Sequence, residues 1–430
     1  MDSNAHAVRQ EKETRKKPLS RRRVLALSGG ALVAAGCTQG EREPADKAGH
    51  SPGPDADSDS GERASANGPD GALGANFNED PDSVTFGELR ELSAGWLRGF
   101  VPMPEVTDDA SHQRAIAKLL DAHRLGHSTV LSLMFPYNHR PIPRPGGSAM
   151  AAELARVDKV LHTVLDTVDI LAIGNEPFIE SLAQDRRSGA LNAFYETVAE
   201  HIIAYRKKHF GSRCRTHLHM GALNYLDRPD KRTRATDRWL SFTRRTPEIE
   251  GVDIHPHVSA PEKVQPYLDY ILPRLRDGQK FLVTEFSLVQ LWRLHLNDTI
   301  PARFARRYRL PTDTPVWKVI REAIEHPFPE EKWRDFLAMS PWFENNKHFL
   351  RDQVRHFRDT GRLAVATYGV TQGAAMTRNF GPDKQPWLLN SLYANRTVER
   401  ADDGSPAHNY GFFDDFRALQ RPQDRRPPRN

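Results

Sequence analysis

Two glutamates stand where apolar runs stop. In "VDILAIGNEPFIES" (168–181) the run ends at Gly174 and gives way to Asn175, Glu176 and Pro177, and in "KFLVTEFS" (280–287) it ends in Glu285. A buried carboxylate is costly unless it is partnered or serves a ligand, so a strand that ends in one needs a reason. Two carboxyls brought to one place supply that reason. Like charges held close push one pKa upward, so one group keeps a proton to give while the other stays ionised. At a separation of about 5 to 5.5 Å such a pair performs glycoside hydrolysis with retention, one carboxyl protonating the leaving oxygen and the other attacking the sugar.

The elements that must bring the pair together follow from the pattern of the chain. Short apolar runs alternate with longer amphipathic ones, as in βα units around a parallel sheet. Eight runs read as strands: 72–78, 95–101, 128–135, 169–175, 215–224, 251–258, 280–287 and 362–369. Helical candidates lie between them, such as "SHQRAIAKLLDAHRLG", "LNAFYETVAEHIIAYRKKHFG" and "NKHFLRDQVRHFRDTG", each ending at a Gly as a helix C-terminus does. This pattern predicts an α/β fold, a (β/α)8 TIM barrel over residues 71–430. Its excess length lies in a long insertion after strand 7, at about 288–345, which holds Trp292, Trp317, Trp333 and Trp342. In such a barrel the chemistry lies at the C-terminal ends of the strands. Strands four and seven, on opposite sides of the axis, then present Glu176 and Glu285 to one another.

From 72 to 395 the chain resembles the glycoside hydrolases of clan A, retaining (β/α)8 enzymes with Asn-Glu-Pro after strand four and a nucleophilic Glu at the end of strand seven. The resemblance implies that Glu176 is the general acid and base, Glu285 the nucleophile, and Asn175 a hydrogen-bond partner of the sugar's 2-hydroxyl. It implies that Arg98, in "WLRGF", orients the nucleophile, where its charge would keep Glu285 ionised. Many members carry His-x-Tyr on strand six; this sequence offers His255 and His257, whose even spacing puts both on the same side of the strand. Tyr368 stands where a tryptophan often forms the floor of the sugar site. The implied substrate is an oligo- or polysaccharide with a β-glycosidic bond, and no metal or organic cofactor is required.

Two other readings compete. His217-x-His219 and His255-x-His257 have the look of metal ligands on adjacent strands, and a metal-dependent amidohydrolase is also a (β/α)8 barrel. That fold wants His-x-His on the first strand and an Asp on the last; here the first offers Asn76 and Asn78 and the last no Asp. A barrel that binds glycans without turning them over is the other reading, since fold and motif do not prove catalysis.

The N-terminal region reads as targeting rather than fold. "SRRRVLALSGGALVAAGC" resembles a twin-arginine export signal (1–37), with Arg21 and Arg22 before a weakly apolar stretch that ends in a lipobox-like sequence at Cys37. About a dozen apolar residues are too few to span the roughly 30 Å hydrocarbon core. Lipidation of Cys37 leaves Cys214 without a disulfide partner. Residues 38–70, rich in Gly, Pro, Ser and Asp, predict a disordered acidic linker. The expected partners are therefore the twin-arginine export machinery and the membrane, reached through the N-terminal lipid. The expected location is extracytoplasmic, at the cell surface or in the periplasm. The formal charge of +5 comes from the first 36 residues, with eight basic against three acidic side chains, so the remainder is neutral. That balance removes the electrostatic footprint of a nucleic-acid binder from the part that folds.

Overall fold

The computed structural model describes residues 68–421; the expected export signal, Cys37 and the linker up to residue 67 lie outside them. Eight parallel strands close into a barrel in sequence order. They are β1 (Ala72–Asn76), β2 (Trp96–Pro102), β3 (Ser128–Met134), β4 (Ile170–Ile173), β5 (His217–Asn224), β6 (Ile249–His255), β7 (Lys280–Val283) and β8 (Leu363–Gly369). Each pairs with the next, and β8 returns to β1 through five register pairs from Ala72↔Val365 to Asn76↔Gly369. Parallel strands buried on both faces read as continuous apolar runs, which is why all eight were legible. The two shortest matter most. β4 and β7 end at Ile173 and Val283, so the backbone has left the ladder before it reaches either glutamate.

The barrel interior is layered. Ala72, Trp96, Val130, Ile170, Leu282, Ala364 and Val365 form a buried apolar cluster separate from the main core between strands and helices. Two residues further along the same strands stand Arg98, Ser132, Thr284 and Thr367, all buried. With a side-chain period of two, the same face that carries the apolar plug carries a polar layer above it. That layer is the foundation of the site.

Helices Val289–Leu294, Ala302–Arg307, Val316–Glu325, Glu330–Met339 and Pro341–Glu344 occupy the insertion expected after β7. Three of its four tryptophans pack with its own aromatics: Trp292 stacks on Phe343 at 5.3 Å and meets Trp342 at 5.6 Å, and Trp333 meets Phe336 at 5.4 Å. A second long connection, 370–411 after β8, was not singled out from the sequence. It is tied to the insertion by Trp292 Nε1, which donates to Asn390 Oδ1 at 2.9 Å.

Candidate active site

The turn after β4 is built around Gly174. Its φ is +106°, a region that side chains with a Cβ rarely adopt. A Cβ there would also lie 2.7 Å from Pro177 Cγ and 2.9 Å from Tyr195 Cε1. The Gly174 carbonyl approaches Gly221 of β5 so closely that a Cβ on Gly221 would meet it at 2.3 Å, and Ala222 N donates to Asn175 O at 3.0 Å. The chain then coils, with Glu176 O accepting from Ile179 N and Glu180 N at 2.8 and 2.9 Å. These contacts fix Asn175 and Glu176 at the mouth of the barrel. Across it, Thr284 is held on every side: its N donates to Asp253 Oδ1 at 3.0 Å, and its carbonyl accepts from Asn76 Nδ2 and Thr367 Oγ1. Glu285 follows directly.

The two carboxyls are brought together. One ligand atom from each of Glu176, His255, His257 and Glu285 lies within 4.8 Å of every other. Arg98, fully buried, spans the site beneath them, donating through Nη1 to Glu285 Oε1 at 2.6 Å and through Nη2 to Asn175 Oδ1 at 2.5 Å. His255 joins the other side. Its Nδ1 lies 3.0 Å from Glu176 Oε1 and its Nε2 2.8 Å from Thr284 Oγ1, which itself donates to Asp253. Asn224 Nδ2 also donates to Glu176 Oε1, at 2.7 Å. His257 Nε2 lies 3.6 Å from Glu285 Oε2, and its Nδ1 bonds to Ser287 Oγ at 2.8 Å.

Electrostatics differentiate the groups. Burial pushes the Glu285 carboxyl up, but His255, Arg98 and His257 outweigh it and hold the group well below the usual carboxylate range. Burial alone would lower the His255 pKa; Glu285 and Asp253 reverse this and raise it to about 10, so the imidazole is a cation at neutral pH. The carboxyl pushed up to about 7 is that of Glu180, first by its burial and further by Glu176. Its Oε1 accepts from Asn175 Nδ2 at 3.0 Å and Glu176 N at 3.2 Å, while the buried Oε2 has no partner. Asn175 is thus pinned at both ends of its amide, oxygen to Arg98 and nitrogen to Glu180.

A consequence for pH follows. Because native Glu180 holds its proton up to about pH 7 while the unfolded chain releases it near about 4.3, stability is lost as pH rises through that interval. Glu180→Gln is expected to flatten that decline. Urea unfolding of both proteins at pH 5 and pH 8 checks it, and an equal decline in the variant would rule Glu180 out as its source.

Not every expected site residue takes the expected place. Asn175, Glu176, His257 and Glu285 line a cavity of about 400 Å³ at the C-terminal mouth of the barrel. Arg98 and His255 lie beneath that surface, where Arg98 holds Glu285 and His255 holds Glu176, and neither lines the cavity in which a sugar would sit. Tyr368 requires a correction. It is 2% exposed, with its ring against Phe286 at 5.1 Å and Phe412 at 5.7 Å, and it does not line the cavity. The reason is parity: Val365 and Thr367 face the interior, so Tyr368 between Thr367 and Gly369 faces the helices. The aromatic wall comes instead from Trp387 in the connection after β8, edge-on to His257 at 4.9 Å. Tyr225 lines the cavity as well, held at φ +57° just beyond β5. Sequence reasoning missed Glu180, Asn224, Tyr225 and Trp387. Glu180 sits four residues after Glu176, a helical-turn spacing that could have flagged it; Trp387 carried no such signal.

The two histidine pairs do not converge. His217 Nδ1 bonds Glu250 at 2.6 Å where β5 begins, and His219 is buried, its pKa pushed down to about 4 by that burial. Neither belongs to any cluster of metal-ligating atoms among the described residues. Glu176, His255, His257 and Glu285 do form such a cluster. Its charge environment opposes a cation, however, because the Arg98 guanidinium already holds Glu285 and His255 is itself cationic.

No protein-family model and no curated protein matches the sequence. Among solved structures the chain is similar to ScGas2 in complex with a small compound, at 9% identity and a TM-score of 0.42, covering 80% of this chain and 63% of that one. A mutant of Saccharomyces cerevisiae Gas2p in complex with laminaritetraose and laminaripentaose aligns at 9% identity and a TM-score of 0.45, covering 85% and 68%. The beta-mannanase from Thermomonospora fusca aligns at 13% identity and a TM-score of 0.39, covering 80% and 93%. At such identities and TM-scores these likenesses carry nothing about function, which rests on the site's own geometry.

Proposed function

We propose that this protein is a retaining glycoside hydrolase that cleaves a β-glycosidic bond by double displacement. The observation that carries the reading is the approach of Glu176 and Glu285 to within 4.8 Å through one oxygen of each. Retention needs carboxyls about 5 to 5.5 Å apart, whereas inversion needs about 6.5 to 9.5 Å to admit a water between them. The surroundings support one assignment of roles. Glu285, kept anionic by His255 and Arg98, is the nucleophile. Its attack on the anomeric carbon forms a glycosyl–carboxylate ester as the bond to the leaving oxygen breaks. Glu176 gives its proton to that oxygen, then takes one from the water that attacks the ester, which returns Glu285 to its anionic form. Asn224 and His255 both tie down Oε1 of Glu176, which leaves Oε2 for the substrate oxygen. Asn175, locked between Arg98 and Glu180, presents its remaining amide hydrogen to the sugar.

The stereochemistry of the first-formed product tests this. Proton NMR during hydrolysis of an aryl β-glycoside is expected to show the β-anomer before mutarotation. The α-anomer appearing first would sink the double-displacement reading.

A further inference from the structure

The cavity around Glu176 and Glu285 continues past Ile179 and Tyr225 into a second hollow of about 930 Å³, the two sharing those residues and Asn138 in their walls. The second hollow differs in charge. Arg186, Arg187, Lys231 and Arg234 line it against one acid, Asp230. Asp230 is already engaged by Arg228 at 3.2 Å and Lys231 at 3.4 Å. Arg186 is held by the carbonyls of Phe178 and Ser181, with Asp185 near it, and so is positioned as part of the wall. Arg187 and Arg234 form no ion pair with any described carboxylate, and the charge of Arg187 bears unfavourably on Arg186. Four basic side chains in one wall, against Asp230 and the nearby Asp185, leave a positive excess that raises the local concentration of anions. The guanidinium fork can donate to two oxygens of a carboxylate or of a sulfate at once.

We propose that this hollow is a subsite for an acidic sugar, one bearing a carboxylate or a sulfate, so that the substrate is an acidic glycan. The proposal rests on the glycosidase reading for the cleavage itself, but the subsite is defined by its own residues. A chain seated across Glu176 and Glu285 would run past Tyr225, which lines both hollows, toward Arg187 and Arg234.

Binding separates the two ideas. In the full chain carrying Glu285→Gln, calorimetry at low salt would compare a hyaluronan hexasaccharide, its carboxyl-reduced neutral counterpart and a chondroitin sulfate hexasaccharide. At least one acidic ligand is expected to bind about tenfold more tightly than the neutral one, the scale of two exposed ion pairs acting together. Because chondroitin sulfate also carries carboxylates, its carboxyl-reduced form, which keeps the sulfates alone, distinguishes sulfate from carboxylate. Adding Arg187→Ala and Arg234→Ala is expected to close that gap, as is raising the salt. Equal binding of acidic and neutral ligands, or a gap that survives the double substitution, overturns the proposal. If the wild type turns over no glycoside yet the gap is present, the hydrolase reading fails and the subsite stands. If neutral glycans are cleaved and no gap appears, the reverse holds.

Discussion

Glu285→Gln is expected to lower kcat by about 10⁴-fold or more on any substrate the wild type cleaves, since it removes the group that forms the covalent intermediate. The substitution preserves shape, and its amide oxygen still accepts from Arg98 Nη1, which reaches that position at 2.6 Å in the wild type. The loss therefore reports chemistry and not collapse. A 2-deoxy-2-fluoro glycoside with a good leaving group makes the test specific, because slowing the hydrolysis of the ester lets the glycosyl-enzyme accumulate. Peptide mass spectrometry is expected to find the sugar on Glu285 of the wild type and nowhere on the variant. A label on another residue, or a variant within about tenfold of the wild type, would show that Glu285 is not the nucleophile. The Glu285 carboxylate is suited to the role because His255 and Arg98 keep it charged in a buried place, where burial alone would neutralise it.

The barrel was legible because each of its strands is an apolar run that a parallel, doubly covered sheet requires, and those runs are separated by helical patterns. The glutamates were legible for the complementary reason, that each breaks such a run: Glu176 after "ILAI" and Glu285 after "KFLV". Arg98 was reached only through the resemblance; the structure gives this buried charge its partner, Glu285, from across the barrel. What escaped is what depends on facing and on long connections. Tyr368 was misplaced because register, and not residue type, decides which side of β8 it takes. Trp387 belongs to a segment with no periodicity, and only the folded chain brings it to His257. Glu180 looked like one more acid on a turn. Its importance comes from Asn175 Nδ2 and Glu176 N, both donating to a carboxyl that burial keeps protonated toward neutral pH.

Arg98→Met should be more damaging than its place beneath the cavity implies, because one guanidinium does three things. It neutralises Glu285, it orients Asn175 through Nη2, and it bonds Ser132 across the polar layer. Removing it leaves a carboxylate that is 20% exposed short of one counter-ion, a change that costs on the order of 3 kcal/mol of stability, at the lower end for a buried pair. The pH behaviour has a definite sign. Wild-type Glu285 titrates well below the ordinary range, so it contributes stability that is present above the unfolded value of about 4.3 and is lost as pH falls below it. Without Arg98, burial regains ground and the pKa of Glu285 rises. The acidic limb of kcat/KM then moves to higher pH, and the loss of stability toward low pH becomes shallower. At its new optimum the variant is expected to keep a deficit of about 10²-fold in kcat, since Asn175 and Glu285 are no longer held in one geometry. A pH–rate profile beside urea titrations at pH 3 and pH 6 measures both effects. An acidic limb that stays in place or moves to lower pH would mean that Arg98 braces the barrel without setting the charge of Glu285. In that case His255, which bears on Glu285 before Arg98 does, carries the task alone.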